Sequence, residues 1–481
     1  MTSSVEEAET AEDPRAAEPS VAVDASSEAG DPSPRQRIHW DLVAVLVVAI
    51  ALRWAWLAYA RPMPVSDFKH YFDTALTLAE RGTFGVGEPS AWRLPAYPAF
   101  LALGALISPT LMLLSAFTVV LSLVQVGLTY WLAWLTFRRR TAAFVAGLVA
   151  AIAPAFVTFA PVLASEHLLA VCVLGALIAA LRADRWIWPM AALSGVLLGA
   201  GVLTRGEAGA YLPAVMLVVA VTVWKALRPA LVSTARRALT TLGASALVVV
   251  AAAAVVTPWI VRNETVVGRG AGLSTTGGFN FYLAHSPGPY GWRTPLPLPL
   301  QVSDEVVRNQ FGWTYGLKYA REHPEHWGST ITEGTRGLLE PSSYAGFYST
   351  VLYDLSNGRV APRADLDARL DAIRLTGTSS RWLLWAGLAG LLLVPVWRKR
   401  VWLAVIGVVA ANWVVYAVIF WAQARYRFVV DALACVAVGA VPAGIQALAS
   451  WVAAGWGEKE QEPPTPEEIM RELEALGERP E

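Results

Sequence analysis

Apolar runs long enough to cross a lipid bilayer dominate this 481-residue sequence, and they restrict the chain to the folds that membrane proteins adopt. Because a helix needs about 20 mostly apolar residues to span the hydrocarbon core, each run of roughly that length is a candidate crossing. The expected crossings, ten in number, lie at residues 41–59, 111–136, 141–160, 167–182, 187–204, 208–225, 239–260, 382–397, 401–421 and 428–450. We therefore predict an all-α polytopic membrane protein.

Basic residues set the predicted orientation, since cytoplasmic loops carry an excess of Lys and Arg. Residues 94–107 are apolar but short, and we predict an interfacial or re-entrant piece there, because a further crossing would invert every later cluster. Arg53, inside the first span, could pair with an acid at the surface, but we expect it to snorkel. Both termini are then cytoplasmic, and the protein is expected in the cytoplasmic membrane. The basic residues on the side of the N-terminus are Arg35, Arg37, Arg138–Arg140, Arg182, Arg185, Lys225, Arg228, Arg236, Arg237 and Arg398–Arg400.

The spans and the composition between them divide the chain into predicted segments. Residues 1–37 are poor in aromatic and branched aliphatic side chains, so we expect a disordered cytoplasmic tail. The remaining segments are an N-terminal transmembrane catalytic module at 38–261 with its first outer loop at 60–110, an extracytoplasmic helical loop at 262–381, C-terminal transmembrane helices at 382–450, and an acidic cytoplasmic tail at 451–481.

Helix signals inside the long outer loop predict a small helical cap over the outer mouth of the protein. Ser303-Asp304-Glu305 is a capping sequence for a helix that ends near Glu322, Pro324 is placed to open a second, and residues 364–375 fit a third. Residues 274–282 contain paired glycines, and we predict a loop whose backbone amides wrap around a sugar or a phosphate.

The first outer loop carries the main functional candidate. Ser66 has the side chain of an N-cap, the apolar residues after it recur at helical spacing, and Gly82 marks a helix end, so the stretch predicts an amphipathic helix in the interface plane. This interfacial helix would hold Asp67 at the membrane surface, and we predict that its carboxylate is the reactive centre. The alternative is a first-turn acid that only stabilises the helix dipole.

Polar side chains from separate outer loops are predicted to converge on the same face as Asp67. Arg425-Tyr426-Arg427 offers a fork of donors suited to a phosphate, with Asp431 one turn away to hold Arg427. The alternative there is a membrane-interface anchor. Glu166 opens one span and Arg205 closes another, so a dipole-stabilising acid and a snorkelling cation are the competing interpretations.

Composition excludes several classes of function. A formal net charge of zero argues against nucleic acid as a partner. Cys172 and Cys435 both lie in apolar runs, which indicates neither a disulfide framework nor a metal site. The stretch Glu322-His323-Pro324-Glu325-His326 contains two histidines, but Pro324 keeps them off one helical face and a third ligand is not evident, so we do not predict a metal there.

Several stretches resemble motifs of the GT-C class of membrane glycosyltransferases, and in particular the bacterial branch similar to protein O-mannosyltransferases and to the aminoarabinose transferase of lipid A. They extend over residues 41–450. The matching stretches are Ser66-Asp67-Phe68 with Tyr71, Arg93-Leu94-Pro95-Ala96-Tyr97-Pro98, Ala164-Ser165-Glu166-His167, Leu203-Thr204-Arg205, Thr257-Pro258-Trp259 through Arg262-Asn263, Ser274 to Asn280, and Arg425-Tyr426-Arg427.

The resemblance implies a role for each matched position. Asp67 would be the catalytic base and Glu166 a second, assisting acid. Phe68 stands where many relatives have Glu, and Trp92-Arg93 where some have a metal-binding acid, so no cofactor is assigned and a divalent cation is left open. The residues implied to hold the donor phosphate are Arg205, Arg425, Tyr426 and Arg427, and those implied to contact substrate are Tyr71, Arg93, His167, Arg262 and Asn280.

The chemistry of the outer face leads to the same function. Sugar nucleotides are absent outside the cytoplasmic membrane, so a transferase there needs a donor that is linked to a polyprenyl phosphate. One base and a set of cations then favour direct displacement, with inversion, by a hydroxyl of an envelope glycan, lipid or protein.

Two other functions remain open from the sequence. A transporter of lipid-linked glycans would place ionisable groups near the bilayer midplane and broken helices in related halves. An envelope-glycan polymerase or ligase would instead use arginines and histidines of its long loop.

Overall fold

Helices account for all regular secondary structure in the part of the chain that the computed structural model describes. The described residues are 39–228, 233–291, 295–302, 304–340, 363–393, 400–442, 444–446 and 449–450. The predicted tails at 1–37 and 451–481, Ser303, and the basic residues at 398–399 lie outside them. The predicted all-helical fold class is confirmed for these residues.

The helices of the first half alternate between long apolar segments and short connecting ones. They are α1 (Trp40–Ala60), α2 (Asp67–Arg81), α3 (Ala96–Ala105), α4 (Leu111–Phe137), α5 (Arg140–Ile152), α6 (Pro154–Phe159), α7 (Glu166–Arg182), α8 (Ile187–Thr204), α9 (Leu212–Ala226) and α10 (Thr234–Arg262). The helices of the second half are α11 (Gly277–Ala284), α12 (Glu305–Glu322), α13 (His326–Leu339), α14 (Arg363–Leu393), α15 (Arg400–Trp413) and α16 (Phe428–Val438).

Six stretches among the described residues are long and apolar enough to cross a membrane, by length and composition alone. Each coincides with a predicted span. They are Trp40–Ala60, Leu111–Phe137, Ile187–Thr204, Gly206–Ala226, Thr234–Val267 and Ala424–Gln446. The helical membrane fold is thus supported, and the count of ten crossings stays a prediction.

The other four predicted spans take different forms. The predicted span 141–160 is divided between α5 and α6 at Pro154, which begins a new helix because proline has no N–H to continue the old one. Helix α7 has 17 residues, one fewer than the length required of a candidate span. Of the predicted span 382–397, residues 382–393 belong to α14 and residues 394–397 lie outside the described ranges. The predicted span 401–421 contains α15 followed by a π-helical segment at Val414–Ile419. Residues 94–107 contain only the short α3, as expected.

Small residues allow α8 and α10 to pack closely. A Cβ on Gly195 would lie 2.3 Å from the carbonyl oxygen of Val248, and one on Gly199 would lie 2.8 Å from that of Ala252. These two glycines are four residues apart, the spacing that brings helix backbones together in membranes, where apolar side chains gain little by leaving lipid. The contact fixes α8, whose end carries Arg205.

The beginning of α1 and the end of α4 lie together. The hydroxyl of Tyr130 donates a 2.5 Å hydrogen bond to Asp41. Arg53, farther along α1, corrects the expectation of snorkelling: it is fully buried, and it donates to Ser122 Oγ (2.7 Å) and to the carbonyl oxygen of Ala151 (2.8 Å). A charged side chain buried in this way is held by hydrogen bonds because it has no access to water.

The predicted caps are partly confirmed. Asp304 accepts hydrogen bonds from the backbone amides of Val306 and Val307, so α12 begins and ends as predicted. Gly82 ends α2 with φ of 67°, in the left-handed region that glycine adopts without strain. Ser66 occupies the N-cap position of α2 with φ of 50°, but its side chain makes no capping hydrogen bond.

The outer-loop predictions need two further corrections. The predicted glycine loop is instead the start of α11. The backbone amide of Gly278 donates to Asn309 Oδ1 on α12 (2.7 Å), so the paired glycines serve helix packing. The predicted third cap helix is the first part of the longer α14.

Candidate active site

Asp67 lies between two arginines that come from distant parts of the chain. Asp67 is the first residue of α2. Its Oδ1 accepts a hydrogen bond from Arg93 of the first outer loop, and its Oδ2 accepts one from Nη2 of Arg425 at 2.7 Å. The Asp67 side chain keeps 21% of its surface exposed, whereas Arg425 keeps 9%. The carboxylate is therefore partly open on one side and held by guanidinium groups on the others.

Aromatic packing fixes the first turn of α2. The ring of Phe68 contacts Phe159 edge-on with centroids 6.1 Å apart, and Tyr71 contacts Tyr97 in the same way at 5.3 Å. Such contacts are directional, so they hold the position of Asp67 as well as burying area. This explains why an aromatic follows Asp67 here: Phe68 is a buried core residue of α2.

Glu166 lies behind the arginines. It is the first residue of α7 and 2% exposed, its Oε1 accepts from Nη1 of Arg205 at 2.9 Å, and Nη1 of Arg425 is 3.9 Å away. The other oxygen, Oε2, is buried without a hydrogen-bond partner among the described residues. Glu166 thus lies close to Arg205 and Arg425, two of the three arginines that were predicted to hold a phosphate.

Arg205 is held on every side. It follows the last residue of α8, and its Nε donates to Glu207 at 2.5 Å while its Nη2 donates to the hydroxyl of Tyr416 at 3.0 Å. The guanidinium also lies over the ring of Tyr426, 4.9 Å from its centroid. With all these partners the orientation of Arg205 is set before any ligand binds.

A cavity of about 410 Å³ opens onto this network. Asp67, Arg93, Arg205 and Arg425 line a charged wall, and residues of α11 and residues around Trp421 line a second wall. Trp421 donates to Oδ1 of Asn280 at 3.0 Å, which links the two parts of that second wall. Aromatic rings cover much of the remaining surface: Tyr71, Trp92, Phe279, Trp313, Tyr416, Phe420, Trp421 and Tyr426.

Two arginine donors in the site lack an acceptor. The Nε atoms of Arg93 and Arg425 are buried, and neither makes a hydrogen bond within the described part of the chain. Buried polar groups normally find partners, since an unsatisfied one costs roughly 1–3 kcal/mol. The two side chains already share Asp67, so each keeps one N–H group whose hydrogen-bonding capacity is unused.

The arginines also control the ionisation of Asp67. Burial alone would raise the pKa of this carboxyl, but Arg93, Arg425 and, more weakly, Arg205 outweigh burial and hold the pKa well below its usual value. Asp67 is therefore a carboxylate at neutral pH. If one arginine were engaged by another anion, this stabilisation would weaken and the pKa of Asp67 would rise.

Four predicted residues do not line the cavity, namely Glu166, His167, Arg262 and Arg427. Arg427 is buried against Asp431, with Nε to Oδ1 at 3.1 Å as predicted, and it also donates to the carbonyl of Leu338. His167 is buried with Nδ1 2.6 Å from Oε1 of Gln125.

Arg262 ties α10 to the first outer loop, donating to the carbonyl oxygens of Ser90 (2.8 Å) and Phe84 (3.0 Å). The structure does bring the remaining predicted residues together around the cavity. These are Asp67, Tyr71, Arg93, Arg205, Asn280, Arg425 and Tyr426.

Sequence reasoning missed three contributors. Glu207 and Tyr416 orient Arg205, as described above, and Glu305 accepts from Ser90 Oγ at 2.7 Å and from the Ala91 amide at 2.6 Å. Glu207 lies two residues from Arg205, so its proximity was a usable signal. No signal in the sequence indicated Tyr416 or Glu305, because their partners are more than 200 residues away along the chain.

One group of metal-ligating side chains occurs among the described residues, and it lies outside this cavity. His323, Glu325 and His326 each offer a ligand atom within 4.8 Å of the others. The expectation that a third ligand was missing is therefore wrong, since Glu325, between the histidines in sequence, joins them.

Comparisons with known proteins give structural likeness only. No family model and no curated protein matches the sequence. An oligosaccharyltransferase from Archaeoglobus fulgidus, solved with Zn and sulfate, is similar at 15% identity and a TM-score of 0.47 over 86% of this chain and 50% of its own. This chain thus spans about half the length of that protein.

Two further solved structures are similar. ArnT from Cupriavidus metallidurans bound to undecaprenyl phosphate has 17% identity and a TM-score of 0.40, covering 88% of this chain and 81% of its own. The arabinosyltransferase EmbB from Mycobacterium smegmatis has 19% identity and a TM-score of 0.36, covering 84% and 42%. All three are GT-C membrane glycosyltransferases, the class that the sequence motifs resemble. At these TM-scores we transfer no residue role from them.

Proposed function

We propose that this protein is an integral-membrane glycosyltransferase of the GT-C type. It moves a sugar from a polyprenyl-phosphate donor to a hydroxyl of an envelope glycan, lipid or protein on the extracytoplasmic face of the cell membrane. The observation that carries the proposal is the pairing of one partly open carboxylate, Asp67, with Arg93 and Arg425, each of which retains an unsatisfied buried N–H.

In the proposed reaction Asp67 is the general base. The acceptor hydroxyl oxygen attacks the anomeric carbon, its proton passes to Asp67, and the bond from that carbon to the phosphate oxygen breaks. A positioned base contributes roughly 10²–10⁴-fold. The leaving phosphate needs no proton, so a single displacement with inversion at the anomeric carbon is sufficient.

Arg425 is proposed to hold the phosphate as negative charge grows on it. Its guanidinium already spans Asp67 and the neighbourhood of Glu166, so a donor phosphate competes with Asp67 for the same N–H groups. When the phosphate engages Arg425, Asp67 loses part of its stabilising charge and becomes a stronger base. Donor binding would thereby prepare the base for the acceptor.

Glu166 is proposed as a positioning residue. It is buried behind Arg205 and does not line the cavity, so it has no route to an acceptor hydroxyl in this arrangement. Its charge instead compensates Arg205 and Arg425, and it keeps both side chains directed to the cavity. Arg205 acts on the donor through the same surface, with Tyr426 stacked against it.

The carboxylates of the cavity do not fit a divalent cation. Asp67 uses both oxygens for arginines, and Glu207, the other acid that lines the cavity, accepts from Nε of Arg205. Among the described residues, neither acid belongs to a group of three His, Cys, Asp or Glu ligands. Arginines supply the positive charge that a metal would provide, so no step of the proposed reaction is assigned to an ion.

The test is transfer by purified protein in nanodiscs with a panel of synthetic polyprenyl-phosphate hexoses and pentoses. We expect at least one donor to bind, and to release polyprenyl phosphate when envelope extract supplies the acceptor, with an inverted anomeric centre in the product by NMR. The absence of both binding and release across the panel would contradict the proposal. Transport of intact donor across a sealed vesicle without cleavage would favour a transporter instead.

A further inference from the structure

The turn between α12 and α13 gathers three metal-ligating side chains away from the proposed active site. His323 follows the last residue of α12, Glu325 precedes α13, and His326 is the first residue of α13. Nδ1 of His323 is 3.0 Å from Oε1 of Glu325. Pro324 was expected to keep the histidines apart because it prevents a shared helix face, yet it forms the turn that brings the two helix ends together.

Tyr319 orients the second histidine. Its hydroxyl is 2.8 Å from Nε2 of His326, and its ring lies 4.5 Å from the His323 ring and 5.2 Å from the His326 ring, by centroids. A hydroxyl that accepts the Nε2 proton leaves Nδ1 unprotonated, the form that a metal requires. Metal-binding histidines usually have such a partner on the other ring nitrogen.

A separate cavity of about 210 Å³ adjoins the group. His323 and His326 line it together with His285, Tyr290, Ser329 and Glu333. It shares no lining residue with the cavity at Asp67. An ion held by His323, Glu325 and His326 would therefore lie beside a cavity that two of its ligands line, and a water or a ligand oxygen there could complete its coordination.

We propose that His323, Glu325 and His326 bind one divalent transition-metal cation of the zinc class. Two imidazoles and one carboxylate are ligands that suit Zn²⁺ better than Ca²⁺ or Mg²⁺. The ligand atoms now lie within 4.8 Å, and Glu325 and His326 are exposed, so side-chain rotation can bring them to the roughly 2.0–2.2 Å bonds of a tetrahedral site. The ion joins α12 to α13, and its fourth position faces the cavity.

The experiment measures Zn²⁺ binding to the full-length protein in detergent, free of any affinity tag, by competition with a chromophoric chelator. The wild type is expected to bind one equivalent, and Co²⁺ in its place should give the visible absorption of a tetrahedral complex. His323→Ala and His326→Ala should each weaken binding at least about 10-fold, and Tyr319→Phe by about 10-fold. Cys172 and Cys435 are both buried and do not compete.

Glu322→Gln is the matched control, because Glu322 lies beside the group and is exposed but pairs only loosely with Lys318, at 3.9 Å. It should bind Zn²⁺ as the wild type does, and Zn²⁺ should raise its apparent unfolding temperature by the same amount. Zn²⁺ should not raise the unfolding temperature of the double variant His323→Ala/His326→Ala. All variants without metal should unfold at the wild-type temperature, which shows that they fold. Equal binding by the double variant and the wild type, or no stoichiometric binding by the wild type, would overturn the site.

Discussion

Asp67 and Glu166 are both acids at the first position of a helix, but their surroundings differ, and we propose different roles for them. Asp67 is 21% exposed at the cavity, while Glu166 is 2% exposed behind Arg205. The dipole of a helix N-terminus favours either carboxylate, so it does not distinguish them. What distinguishes them is access: only a group that a substrate can reach can take a proton from it.

Asp67→Asn tests that assignment. The amide keeps the size of the side chain but cannot accept a proton, so we expect turnover to fall by about 10²-fold or more. Donor affinity should hold or improve, because the variant removes the anion that competes with the phosphate for Arg425. Single-turnover transfer and donor binding are measured separately on protein in nanodiscs.

Asp73→Asn is the control for this change, since Asp73 lies on the same helix and pairs only with the exposed Lys69. It should leave both quantities unaltered. Full transfer by the Asp67 variant would exclude Asp67 as the base. A parallel loss of donor binding would assign it to organising the arginines.

Arg425 and Arg427 looked equivalent in the sequence and are separated by the structure. Arg425→Ala should raise the donor KM while the protein stays folded, because the cavity loses a phosphate contact. Arg427→Ala should break the buried ion pair with Asp431, and removing one member of such a pair costs about 3–5 kcal/mol.

The measurements that distinguish the two variants are apparent unfolding temperature and donor binding by the folded fraction. We expect Arg427→Ala to lower the apparent unfolding temperature and to leave donor binding by the folded fraction unchanged. We expect Arg425→Ala to weaken donor binding and to leave the unfolding temperature unchanged. If both variants lost donor binding at an unchanged unfolding temperature, Arg427 would have to reach the donor from outside the cavity described here.

At the scale of elements, short-range sequence signals predicted those helix boundaries that short-range interactions determine. The α2 and α12 boundaries followed from Gly82 and Asp304, because caps act within a few residues. The α11 helix was not predicted. Its paired glycines look like a loop in isolation, and they are helical here because Asn309 and the backbone of α12 lie against them.

The same limit applies to the site. The order of the spans predicted which outer loops supply the residues of the site, so Asp67, Arg205 and Arg425 were identified from the sequence. Which side chain meets which could not be predicted, because Arg425 reaches Asp67 across 358 residues of sequence. Arg427 and Glu166 were therefore grouped with the cavity, although one is buried against Asp431 and the other lies behind Arg205.

Gly312→Ala should disturb the contact of α12 with α11. A Cβ there would lie 2.3 Å from the backbone oxygen of Gly278, and backbone atoms cannot move aside as side chains do. Overpacking typically costs about 1–3 kcal/mol, so we expect a lower unfolding temperature and weaker donor binding through Asn280 on α11. The readouts are thermal unfolding and donor titration.

Gly328→Ala provides the comparison, because nothing lies within 4 Å of a Cβ at that helical position. Alanine there should stabilise α13 by roughly 0.5–1 kcal/mol and leave donor binding unchanged. Equal behaviour of the two variants would mean that α11 and α12 do not pack as described.

At the scale of the whole molecule, the helix ends divide into two sets. Asp67 lies beyond the end of α1 and Arg205 follows the end of α8, and both line one cavity, while Glu166 at the start of α7 lies against Arg205. The other end of α1 is tied to the late part of α4 by Asp41 and Tyr130, which places Arg138–Arg140 at the far end of the bundle from the site. Our prediction that this basic end faces the cytoplasm would then place the cavity on the outer side.

Cysteine labelling tests this orientation directly. Lys318 on α12 has 67% of its side chain exposed, and Thr234 at the start of α10 is also exposed, so each accepts a cysteine without disturbing the core. A membrane-impermeant maleimide added to intact cells should label Lys318→Cys and should reach Thr234→Cys only after permeabilisation. The wild type should stay unlabelled, because Cys172 and Cys435 are buried. The reverse pattern would place the cavity in the cytoplasm, where sugar nucleotides are at hand, and would remove the reason for a lipid-linked donor.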